Sequence, residues 1–111
     1  MKLYTTPEQT AKLIELRFEK PRYECFDKTL SGIEKWNNIQ SNYSIGELLS
    51  FLPNDFRDKN KNLHTLSIYT GELGTWEINY IGFESRIRTC EDELIDALYA
   101  MILQLQEEGV I

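Results

Sequence analysis

From Leu66 onward the apolar residues of this chain fall at a spacing of two, and the parity of that spacing is its tightest structural constraint. Leu66 and Ile68 alternate with Ser67 and Tyr69, and Trp76, Ile78 and Tyr80 alternate with Glu77 and Asn79. Two such runs around "TGELGT" predict antiparallel strands. For both apolar sets to share one face, cross-strand partners must sum to an even number, which requires an odd number of connecting residues. A three- or five-residue loop with Gly71 or Gly74 at positive φ satisfies this; a plain two- or four-residue loop would set Glu77 opposite Ile68 on the buried face. Gly82 to Arg88 reads as a third strand or a bulged extension.

Helix grammar brackets the strands. Thr6-Pro7-Glu8-Gln9 combines a threonine N-cap, proline at the first helical position and a glutamine that closes a capping box, predicting a helix from Pro7 to about Arg17. In "YSIGELLSFLP", Ser44 and Glu47 form a second box, Ile45, Leu48, Leu49 and Leu52 share one face, and Tyr43 is placed to staple against Leu48. Pro53 stops that helix, whose roughly two turns are too short to stand without tertiary packing. Near the end, Thr89 is the expected cap with Asp92 at the third helical position. Leu94, Leu98, Met101, Ile102 and Leu105 form a stripe widened by Ile95, Ala97 and Tyr99, and Gly109 with Val110 predicts a Schellman close.

Residues 54–62 are polar and turn-prone. From Phe18 to Asn42 no period is sustained: Pro21, Ser31-Gly32 and Asn37-Asn38 punctuate Tyr23, Phe26, Leu30, Ile33 and Trp36. A structureless loop of that length is uncommon, so a short helix or strand is expected there without a placed boundary. The fold expected is a single α+β domain over 1–111: two short N-terminal helices, an antiparallel hairpin or three-stranded sheet, and a C-terminal helix packed on the sheet. The core is expected in Leu48, Leu52, Leu66, Ile68, Trp76, Ile78, Leu94, Leu98, Met101, Ile102 and Leu105.

Charge narrows the partners. The net charge is −6, and all of the imbalance lies in residues 61–111, where three Lys/Arg face nine Asp/Glu; residues 1–60 carry nine of each. An acidic field opposes phosphate-backbone binding by the second half. Cys25 and Cys90 sit in no metal or redox spacing and are too few for a disulfide framework. The opening lacks a signal-peptide core, and the longest apolar run, Ala97 to Leu103, is seven residues against the roughly 20 needed to cross a bilayer. These features read as cytoplasmic, with no membrane association.

No catalytic, cofactor-binding or metal site is expected. Glu91, Asp92, Glu93 and Asp96 read as helix capping and solubility, since carboxylates are favoured at a helix start and no Gly-containing ligand loop accompanies them. His64, the sole histidine, reads as a surface or strand-end residue. A Cys/His pairing with Cys25 or Cys90 is a remote nucleophile hypothesis, and the acids around Cys90 oppose a thiolate there. Tyr69, Trp76, Tyr80 and Phe83 offer a stacking platform but read first as sheet packing, with Arg86 and Arg88 the only nearby positive charge. Phosphate-loop, dinucleotide, zinc-protease and serine-hydrolase motifs are absent from the sequence.

The capped "YSIGELLSFLP" segment, the "LSIYTG" and "TWEINY" hairpin, the opening "TTPEQTAKLIEL" and the closing "DELIDALYAMILQLQEEGVI" together resemble small uncharacterised proteins of phages and prophages of gut bacteria. In those the last helix follows a DALxxxLxxLxxxG-like pattern, matched by Asp96, Ala97, Leu98, Ile102, Leu105 and Gly109. The resemblance implies a phage or mobile-element context and no particular activity, cofactor or catalytic residue. The function expected is a non-catalytic protein-interaction module, with a protein partner or a homodimer and an exposed apolar patch including Tyr69, Ile81 or Phe83. The alternative is nucleic-acid association through Lys12, Arg17, Lys20, Arg22 and Lys28 with Tyr23 and Trp36. A metal-dependent hydrolase using the carboxylates of the last helix ranks third.

Overall fold

A computed structural model describes residues 1–18, 42–71, 73–82 and 85–111. Expectations for residues 19–41, and for Phe83, lie outside the described residues. Both capping boxes form. Thr6 accepts from the Gln9 amide while Gln9 Oε1 accepts from the Thr6 amide, and α1 runs Pro7–Glu15. Its end comes earlier than Arg17 because Arg17 adopts the left-handed conformation, φ 68°, with Phe18 N–H bonded to the Leu13 carbonyl and Arg17 N–H to that of Ile14. That is a Schellman close without glycine. Ser44 and Glu47 exchange the same pair of bonds at the start of α2, Ile45–Phe51, and Leu52 turns extended before Pro53.

The sheet has four antiparallel strands in the order β1-β2-β3-β4: β1 Asp55–Arg57, β2 Leu63–Thr70, β3 Trp76–Ile81 and β4 Arg86–Glu91. The expected hairpin is β2 and β3. Leu66 opposes Tyr80 and Ile68 opposes Ile78, joined by a five-residue connection, 71–75, with Gly74 at φ 76°. The parity argument therefore holds residue by residue. β1 is a strand beyond the expected two or three, and the third strand, expected over Gly82 to Arg88, lies further along the chain. β1 arises within the polar 54–62 segment because Asp55, Phe56 and Arg57 pair with Thr65, His64 and Leu63. β4 runs three residues past Arg88, through Thr89, Cys90 and Glu91, because each of its six residues pairs with one of β3.

That extension moves the helix start. Thr89 is a strand residue, not the cap, and its hydroxyl donates to the Ala97 carbonyl at 2.9 Å. α3 runs Leu94–Glu107 with Glu93 as N-cap. Glu93 makes no side-chain cap bond; its carboxylate accepts the Lys2 amide instead. Gly109, at φ 76°, and the Val110 amide on the Leu105 carbonyl complete the predicted Schellman close.

The core lies between the sheet and α3. Leu94, Ile95, Ala97, Leu98, Met101, Ile102 and Leu105 are buried on the helix, against Ile78 and Tyr80 of β3 and Leu48 and Leu52 of the α2 segment. At about 25 cal/mol per Å² each such Leu or Ile contributes roughly 1.5 to 3 kcal/mol, so this face holds α3 in place. Leu66, Ile68 and Trp76 are half-buried at its margin, and Leu13 and Tyr43 join the core beyond those expected. The Tyr43 hydroxyl donates to the Phe18 carbonyl, and its ring meets Phe51 edge-on at 5.7 Å. A buried chain of polar groups ties the N-terminus to α2: the Tyr43 amide donates to Thr5 Oγ1, Thr5 to Thr10 Oγ1, and Thr10 to Asn42 Oδ1.

Candidate functional site

His64 lines a cleft at one end of the sheet. It is 2% exposed, which corrects the surface reading while keeping it near a strand end, second in β2. Strand pairing brings Phe56 across from it, and the two rings stack at 4.8 Å and 4°. Gly82 closes on the imidazole: a Cβ there would stand 2.7 Å from His64 Cε1. Asp58 closes the β1–β2 loop, its Oδ1 accepting the Asn60 and Asn62 amides at 2.8 and 3.0 Å and its Oδ2 facing His64 Nε2 at 3.1 Å. The hydrogen bond from His64 and that from the Asn62 amide hold the Asp58 carboxyl below its ordinary 3.8.

Ser85 Oγ stands 3.4 Å from the same imidazole nitrogen. Asp, His and Ser are thus brought together from separate elements, which no local spacing in the sequence announces. The geometry is not a relay. In a nucleophilic triad the carboxylate holds one ring nitrogen and the hydroxyl addresses the other. Here both converge on Nε2, while Nδ1 lies buried with no hydrogen-bond partner among the described residues. The cleft, about 780 Å³, is lined by Arg57, Lys59 and Arg86 together with Glu107, Glu108 and Val110.

Cys90 is exposed on β4, five residues along the ladder from Ser85, so about 17 Å from the His64 row, and on the opposite sheet face. The structure therefore separates Cys90 from His64; Cys25 lies outside the described residues. The acidic group divides as well. Glu91 ends β4, Glu93 binds the Lys2 amide, and Asp96 accepts from Lys2 Nζ at 2.9 Å and Gln9 Nε2 at 2.8 Å. Among the described residues no three His, Cys, Asp or Glu gather closely enough to hold a metal ion.

Of the expected aromatic platform, the described members Tyr69, Trp76 and Tyr80 do not share one face. Tyr80 is fully buried on the α3 face, its hydroxyl donating to the Pro53 carbonyl at 2.6 Å, and burial pushes its pKa up to about 12. Trp76 shares that face, whereas Tyr69 stands on the other. This far face carries Leu63, Tyr69 and Ile81, exposed by 45%, 40% and 48%. At its centre Asn79 is fully buried, and neither its amide nitrogen nor its oxygen has a hydrogen-bond partner among the described residues. Glu77 and Arg88 form an ion pair beside it. Of the cations expected to bind nucleic acid only Lys12 and Arg17 are described; Lys20, Arg22 and Lys28, with Tyr23 and Trp36, lie outside.

Among the described residues no helix is long and apolar enough to cross a membrane. A scan against protein-family models, a search of curated proteins and a search of solved structures found no match to this chain.

Proposed function

We propose that this protein is a non-catalytic protein-interaction module, of phage or mobile-element context by its sequence resemblance, that binds through the exposed rim of the sheet face turned away from α3. The observation that supports the reading is the set of large apolar side chains on that face: Leu63, Tyr69 and Ile81 stand exposed, with Leu63 and Ile81 as diagonal neighbours across β2 and β3. The convergence of Asp58 and Ser85 on one nitrogen of His64 favours a structural over a catalytic role for that cluster.

The test is affinity capture from host lysate with and without nuclease, comparing the wild type with a Tyr69→Ser/Ile81→Ser variant whose melting temperature is checked. The expected result is a stoichiometric protein partner that survives nuclease and is lost with the variant. Equal recovery by both chains, or recovery only of nuclease-sensitive material, overturns the reading.

A further inference from the structure

The two edges of the sheet are unlike. β1 is three residues long and runs into a loop bearing Lys59 and Lys61, the kind of short, charged edge that discourages further pairing. β4 is six residues long, contains neither proline nor lysine, and has no strand beyond it among the described residues. Its outward groups follow from the ladder. The Gly82 amide bonds the Ser85 carbonyl, which makes 82 and 85 a hydrogen-bonded pair. Bonded and non-bonded pairs alternate, so Ile87, Thr89 and Glu91 turn their backbone groups toward β3. Arg86, Arg88 and Cys90 then direct theirs outward, and all three side chains are exposed.

We infer that β4 pairs antiparallel with β4 of a second copy about a two-fold axis at Thr89, joining two four-stranded sheets into one. Face parity allows only registers whose partners sum to an even number. Centring on Arg88 sets Arg88 against the partner's Arg88, like charges directly opposite. Centring on Cys90 shortens the overlap and leaves Arg86 unmatched. Centring on Thr89 sets Arg88 opposite the partner's Cys90 as bonded pairs and places Arg86 across from the partner's Asp92, the exposed residue just past the end of β4, twice by symmetry. Arg86 and Asp92 are exposed and make no side-chain hydrogen bond or ion pair within the described chain, so both charges are available for this contact.

The inference goes beyond the protein-binding reading, since it uses the β4 edge and not the sheet face, and it is tested on the purified chain alone, so its failure leaves the lysate experiment to stand or fall separately. Sedimentation equilibrium across micromolar to millimolar protein is expected to show a dimer, with the Arg88 and Cys90 amides exchanging more slowly as concentration rises. Arg86→Asp and Asp92→Arg are each expected to weaken association at least tenfold, and the double variant to restore it. Arg88→Pro removes an outward amide that takes no part in the pairing with β3, and is expected to abolish the dimer while Arg88→Ala keeps it. A monomer at millimolar concentration overturns the inference. So does a double charge reversal that fails to restore association, or an Arg88→Pro chain that still dimerises.

Discussion

Asn79 is the residue whose environment conflicts most with its chemistry. Among the described residues its buried amide has no partner, and such an amide forgoes its hydration and gains nothing in return, at a cost of about 1 to 3 kcal/mol. Valine has nearly its volume and a better strand propensity. Asn79→Val is therefore expected to raise stability by about 1 kcal/mol or more in urea unfolding; an unchanged or lower midpoint would show that the amide finds a partner in solution. Gly82 presents the converse case, a small residue demanded by a neighbour. A methyl group there must displace the His64 ring, which is held between Phe56 and Asp58. Gly82→Ala is expected to cost about 1 to 3 kcal/mol by overpacking and to shift the His64 ring resonances in NMR spectra. Neither position is distinctive in sequence: an alternating Asn and a strand-end Gly acquire their meaning from residues far away in the chain.

Among the elements, α3 shows most clearly where local grammar stops. Its apolar stripe and glycine close were legible because both depend on residues within a few turns of each other. Its first turn was not. Thr89 offers a cap by spacing, but six ladder pairs with β3 outweigh one cap bond, and the helix starts four residues later than that cap implies. The start is then held by the N-terminal segment, through Lys2 and Gln9. Burial raises the Asp96 carboxyl, but hydrogen bonds from Lys2 and Gln9 and the Lys2 charge outweigh it and leave the group below 3.8. A carboxyl depressed by folding adds stability above its unfolded value and loses it as pH falls through the folded one. Stability is thus expected to drop below about pH 4, and the difference between unfolding midpoints at pH 6 and pH 3 to shrink in Asp96→Asn. It should not vanish, because Asp58 is depressed in the same direction. An undiminished difference in the variant would count against the clamp.

At the scale of the molecule, the chain by itself determined what depends on neighbours in sequence. Both N-terminal capping boxes, the stop at Pro53, the amphipathic stripe of α3 and the odd connection between β2 and β3 all follow from local sterics, main-chain hydrogen bonding and side-chain parity. Only the tertiary structure decided the rest. It added β1, which pairs with β2 across residues 58–62, carried β4 on to Glu91, moved Thr89 from cap to ladder, and buried His64 beneath Phe56 and Gly82 beside Asp58 and Ser85. It also parted Cys90 from His64 and sorted the aromatics onto opposite faces. These outcomes depend on which surfaces meet when α3 closes on the sheet, and the free energy of that closure belongs to pairs of residues tens of positions apart, which no window along the chain contains.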